Sequence, residues 1–212
     1  MNALKEFIIE TLKESENKKE INKRIVERYP YLLPRNVWTD KVDPDYDYSY
    51  IRSCEIPDGW NLLFLQLCED IREPLMKIDY LEKFRFSQIK EKYGRLECYT
   101  FGEPDEVHDI ITKYRAMSQY VCNQCGKPAE YMTIGYILPF CPDCFEKYCR
   151  KYDEPAEKIE FKDSFVMSRY SKGVTTERTI SFKEEWERYL DIITDEYTMK
   201  YREIDRKFDD DV

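Results

Sequence analysis

Six glycines in 212 residues leave little material for glycine-rich phosphate loops, and the chain contains neither a G-x-G-x-x-G nor a Walker-type run. Nucleotide-binding enzymes of those kinds are therefore disfavoured. A single histidine, His108, removes histidine-metal nucleases and metalloproteases, which need at least two. It begins "HDI" and not the H-x-E of a zinc deaminase, whose second motif would also place a proline where Phe140 precedes Cys141. No stretch reaches the roughly 20 apolar residues that span a bilayer, and the opening "MNALKEFIIETLKESENKKE" mixes charges among its apolar positions. The expectation is neither signal peptide nor membrane anchor, hence a cytoplasmic protein in a reducing compartment.

What the chain does have is aromatic residues, acids and thiols. Eighteen Tyr, eleven Phe and three Trp supply the large buried areas from which a core can form. The net charge of −9 opposes non-specific attraction to phosphate backbones. Eight cysteines in a reducing compartment point to metal sooner than to disulfides wherever they occur as C-x-x-C pairs.

Periodicity divides the chain into recognisable segments. Leu4, Phe7, Ile8 and Leu12, then Ile21, Ile25 and Tyr29, read as two short helices or one kinked helix that Pro30 and Pro34 end. "DKVDPDYDYSYIRSCEIPDG" reads as a loop or edge strand, its tyrosines serving as core plugs or as a contact surface. Asp58 is expected to N-cap a buried helix through "GWNLLFLQLCEDIREPL". "FRFSQIKEKYGRLECYTF" reads as a hairpin turning at Tyr93-Gly94, and Val107, Ile110, Ile111, Tyr114 and Met117 mark an amphipathic helix. "KIEFKDSFVMSRY" and "VTTERTISF" read as two strands joined by "SKG". Trp186, Leu190, Ile193, Tyr197, Ile204 and Phe208 predict one C-terminal helix of about 25 residues, packed on its own domain or pairing with a second copy.

Cys122 and Cys125, then Cys141 and Cys144, form two C-x2-C pairs separated by fifteen residues, a spacing typical of tetrathiolate zinc sites. Two intervening residues let one tight turn aim both sulfurs at a single ion about 2.3 Å away, and Gly126 permits that turn. Pro142 suits the first turn of a helix carrying the second pair. A turn, a hairpin through Tyr131 to Leu138 and a helix together resemble a treble-clef zinc finger. Four thiolates close the tetrahedron, so the reading is structural Zn2+ and not catalytic. "CPDC" also matches a thioredoxin-like redox pair, and an iron site is the remaining alternative. Cys54, Cys68, Cys98 and Cys149 are assigned no chemistry.

These readings combine into an α+β fold class, a compact mixed helix and hairpin protein with a treble-clef-like zinc finger. Its regions are a helical and hairpin part (1–120), the finger (121–152) and a β-hairpin plus long helix (153–212). Gly59-Trp60, "IKEKYGRLECY" and the four cysteines resemble a group of small, uncharacterised phage and prophage proteins carrying a Gly-Trp helix, an "IKEKFGGLRFY"-like strand and a paired-cysteine finger. The resemblance covers residues 58–150 and departs where Arg95 replaces a second glycine. It implies phage or prophage origin and supplies no catalytic residue. The leading expectation is a non-catalytic, zinc-stabilised interaction protein that inhibits or regulates a host or defence protein. A nucleic-acid-binding regulator using Lys147, Arg150, Lys151 and Arg169 is the alternative, disfavoured by charge, and a protein or enzyme enclosing a nucleotide-like small ligand is the third.

Overall fold

The computed structural model describes residues 2–36, 38–51, 54–153, 155–171 and 174–205, and within them the side chains of all but 54–55, 149–152, 169–171 and 205. Helices α1 (Ala3–Glu14) and α2 (Lys18–Arg28) each begin on an asparagine. The Asn2 side-chain oxygen accepts from the Lys5 N–H, and that of Asn17 from the Lys19 and Glu20 N–H groups, satisfying donors that a helix start leaves orphaned. Two helices therefore form, and Pro30 opens a short 3-10 turn after them.

Helix α3 (Asn61–Lys77) is the centre of the molecule. All residues from Asn61 to Cys68 are buried, because α1 and three later helices surround it. The expected Asp58 cap does not form. Asp58 instead starts a 3-10 turn, Asp58–Trp60, that runs into the helix with no side-chain cap bond. The reason is tertiary: the Gly59 N–H donates to the Asn123 carbonyl at 2.9 Å, so the chain is held from outside the helix.

Strand β1 (Cys54–Glu55) is a short parallel edge on β2 (Phe86–Lys92), which pairs antiparallel with β3 (Arg95–Thr100). Tyr93 and Gly94 both take positive φ, 53° and 73°, the conformation of a two-residue hairpin turn whose twist matches the strands. Arg95 is then simply the first residue of β3. Helix α4 (Asp105–Met117) lays Val107, Ile111, Tyr114 and Met117 against α3 and the β2–β3 hairpin.

After α4 come β4 (Tyr131–Thr133), β5 (Pro139–Phe140) and α5 (Pro142–Tyr152). The stretch expected as one strand from Lys158 onward is split. β6 (Ala156–Lys158) turns back to pair with β4, giving a sheet of order β5-β4-β6, and β7 (Ser164–Ser171) begins separately. β7 pairs with β8 (Val174–Ser181) from Ser164↔Ser181 to Ser171↔Val174, and the "SKG" turn lies partly outside the described residues.

The single long C-terminal helix is corrected to two, α6 (Lys183–Ile193) and α7 (Glu196–Asp205). Asp195 Oδ1 accepts the Tyr197 and Thr198 N–H groups, and an acid so placed starts a new helix in preference to continuing the old one. The break rotates the stripe. Trp186, Tyr189, Ile192 and Tyr201 are buried, Leu190, Ile193 and Ile204 pack partly against the core, and Tyr197 faces solvent. Phe208 lies outside the described residues. α6 packs on α3, and α7 on α1 and α3, so buried residues from Leu4 to Tyr201 form one cluster. The fold class is α+β, and among the described residues no helix is long and apolar enough to cross a membrane.

Candidate metal centre

The segment 121–128 folds into a tight knuckle. Val121 bridges to Pro128, the Cys122 N–H donates to the Lys127 carbonyl, and the Gly126 N–H returns to the Cys122 carbonyl at 2.9 Å. Gly126 has φ +73° and sits so close to the Gly59 carbonyl that a Cβ would lie 2.8 Å from it, so both conformation and space require glycine. Cys141 directly precedes α5, and Cys144 lies in its first turn, with Pro142 as first helical residue. The β4–β5 hairpin joins the two pairs, with Met132↔Pro139 and Tyr131↔Phe140 in register.

These elements bring the Sγ atoms of Cys122, Cys125, Cys141 and Cys144 within 4.8 Å of one another. Cys125 and Cys141 are 3.5 Å apart. Four sulfurs at about 2.3 Å from one ion would be separated by about 3.8 Å along the edges of a tetrahedron, a spacing compatible with a cluster held within 4.8 Å. The donor set can thus hold a metal ion.

The ionisation of the thiols favours the same conclusion. The Cys122 thiol donates to Cys125, and together with the Lys127 N–H this lowers Cys125 to about 5. Cys122 is pushed upward, first by that same hydrogen bond and then by burial. Burial followed by the neighbouring Cys125 charge raises Cys144 to about 12. Without a cation, the cluster supports the Cys125 thiolate readily and penalises those of Cys122 and Cys144. A divalent ion relieves that conflict by favouring the thiolate form of each ligand, although the complex keeps a net charge of about −2.

The site is fastened to the core by residues that cysteine spacing does not reveal. The Trp60 indole N–H donates to the Val121 carbonyl at 2.9 Å, and the Tyr189 hydroxyl from α6 donates to the Gly126 carbonyl at 2.7 Å. Both rings are fully buried. Gly59 meets the knuckle backbone so closely that a Cβ would lie 2.2 Å from the Cys122 carbonyl oxygen. The signal for Gly59 and Trp60 was present as the Gly-Trp motif; for Tyr189, buried through a helix 63 residues beyond Gly126, the sequence holds none.

The other candidates fall elsewhere. His108 is on α4 with its ring Nδ1 2.8 Å from Glu103, away from the cysteines. Cys68 is buried in α3 and Cys98 packs partly against the core, both outside the cluster, while the side chains of Cys54 and Cys149 lie outside the described residues. Lys147 is exposed on α5, whereas the side chains of Arg150, Lys151 and Arg169 also lie outside the described residues. No family model matches this chain, nor does any curated protein or solved structure.

Proposed function

We propose that this chain is a non-catalytic interaction protein of phage or prophage origin, braced by one structural zinc ion, that occupies and so inhibits or regulates a host or defence protein in the cytoplasm. Zinc is the ion of choice because four thiolates in a closed tetrahedron suit it and leave no position for a reacting water. The observation that carries the reading is an exposed apolar face where two hairpins meet. Tyr93 is 72% exposed at the β2–β3 turn, and Ile134 and Tyr136 are 53% and 63% exposed in the β4–β5 connection. The turns are in contact: a Cβ on Gly94 would lie 3.0 Å from Ile137, and the Tyr136 hydroxyl reaches Glu91 at 3.4 Å. The metal knuckle fixes one hairpin and the core fixes the other, so the face is preorganised, which lowers the ordering cost of binding. Aromatic residues displayed on rigid supports are the usual anchors of protein interfaces.

The test is affinity capture from the native host with the unaltered chain and with Tyr93→Asp/Ile134→Asp/Tyr136→Asp. The reading predicts one partner retained by the native chain and lost by the variant, with metal content unchanged. Equal capture by both would contradict it.

A further inference from the structure

A second site lies far from the cysteines in the sequence, where the chain after α2 passes β2. Tyr31 to Asn36 on one side and Phe86 to Ile89 on the other enclose a cavity of about 400 Å³, with Phe101 at its edge. Two arginines, Arg35 and Arg85, border it, fifty positions apart in sequence and close enough in space to repel one another. Burial and the Arg35 charge lower the affinity of Arg85 for its proton, yet a guanidinium stays charged at neutral pH. Both Nε–H groups are buried, and neither has an acceptor among the described residues.

The neighbouring groups leave the charges incompletely matched. Arg35 spends one Nη1–H on the Asp40 backbone carbonyl at 2.9 Å, and Arg85 spends one on the Phe84 carbonyl at 2.6 Å. The Asp40 carboxylate, 72% exposed, makes long ion pairs with Arg35 at 4.0 Å and Arg85 at 3.8 Å, beyond hydrogen-bond reach, and Glu82 adds a weaker attraction on Arg85. Two buried donors without an acceptor cost stability. Both arginines line the cavity, so an oxyanion inside it meets two guanidinium groups, and a doubly charged one compensates both cations at once.

The remaining lining narrows the class. Phe86 and Tyr31 meet edge to face at 5.9 Å and form a rigid apolar wall, and Phe101 is 69% exposed, offering a free ring face. The volume is within the range of small-molecule pockets, about 300 to 1,000 Å³. We propose that this cavity binds a small phosphomonoester bearing a flat ring, its phosphate held between Arg35 and Arg85 and its ring against Phe101. This site is independent of the metal centre and of the protein-binding face.

The test uses the intact, metal-loaded chain with two probes, inorganic phosphate and adenosine monophosphate, at matched ionic strength. Nitrogen-edited NMR of the arginine Nε–H groups and calorimetric titration read the outcome. Both probes should shift the Arg35 and Arg85 signals and compete with each other. Arg35→Gln and Arg85→Gln should each weaken binding about tenfold or more, and Arg85→Lys, which keeps charge but loses the fork, should also weaken it. Phe101→Ala should weaken adenosine monophosphate and leave inorganic phosphate unchanged. Absence of any shift at millimolar probe, or binding that survives both glutamine substitutions, would overturn the proposal.

Discussion

At Gly59 a single hydrogen separates the entrance of α3 from the cysteine knuckle. Replacing it with a methyl group would force apart backbone at Cys122 and Asn123, whose atoms lie 2.2 to 2.6 Å from the ideal Cβ position. Backbone cannot yield as a flexible side chain does, so Gly59→Ala is expected to cost about 3 kcal/mol, or roughly 6 to 12 °C in Tm for a chain of this size. The Trp60 indole N–H, bonded to Val121, should change its NMR position in the same variant. A thermal scan unchanged within error would show that the knuckle and helix do not meet as described. Gly126 obeys the same logic from the other side, since Gly59 and Tyr189 crowd it.

Helix α3 presents two acids to its neighbours, and each receives one arginine and one tyrosine. Glu69 accepts from Arg28 at 2.7 and 2.8 Å and from Tyr29 at 2.6 Å. Asp70 accepts from Arg188 through both oxygens at 2.6 Å and from Tyr114 at 2.6 Å. These bonds orient α2, α4 and α6 around α3. Burial opposes ionisation of Glu69, but the Arg28 and Tyr29 hydrogen bonds outweigh it and hold the carboxyl below its usual value of 4.5. Because the folded value is depressed, the stabilisation is fully present above the unfolded value and is lost as pH falls through the folded one. Glu69→Gln should therefore destabilise the protein by about 2 to 3 kcal/mol near neutrality, less than for a fully buried pair because Arg28 keeps 25% exposure. Denaturant titrations at pH 7 and below the carboxylate range should show the gap between native and variant narrowing on acidification. A constant gap would assign the effect to packing alone.

The elements most legible in the sequence are those with local cause. The β2–β3 hairpin follows from alternating residues around Tyr93-Gly94, and α1, α2 and α4 follow from their apolar periods. Of the misread places, one has a local cause that spacing masks and one a long-range cause. Continuity of apolar spacing through Thr194 and Asp195 hides a helix break, since the same aspartate reads as a surface residue until its N-cap geometry is seen. β6 separates from β7 because it is claimed by β4, a partner about 25 residues upstream, and nothing in "AEK" announces that pairing.

For the whole molecule, the buried cluster extends from Leu4 to Tyr201 and reaches the finger through Trp60 and Tyr189. The clustering of the four sulfurs was legible because it follows from spacing over a short segment. The Arg35 and Arg85 cavity was not, because only the folded path of the chain brings those side chains together. Both features sit on one scaffold centred on α3, with the exposed aromatic face between the hairpins. If the metal is lost, the knuckle has four crowded thiols and no compensating charge, so loosening should begin in residues 121–158 and precede global unfolding.

Metal analysis of the native chain, coupled to a thermal scan before and after metal removal in reducing buffer, bears on this directly. One zinc per chain is expected, with binding abolished by Cys141→Ser and by Cys122→Ser, and with a lower Tm and an altered Trp60 indole signal once the ion is removed. A metal-free chain that keeps both its Tm and its Trp60 environment would contradict the account.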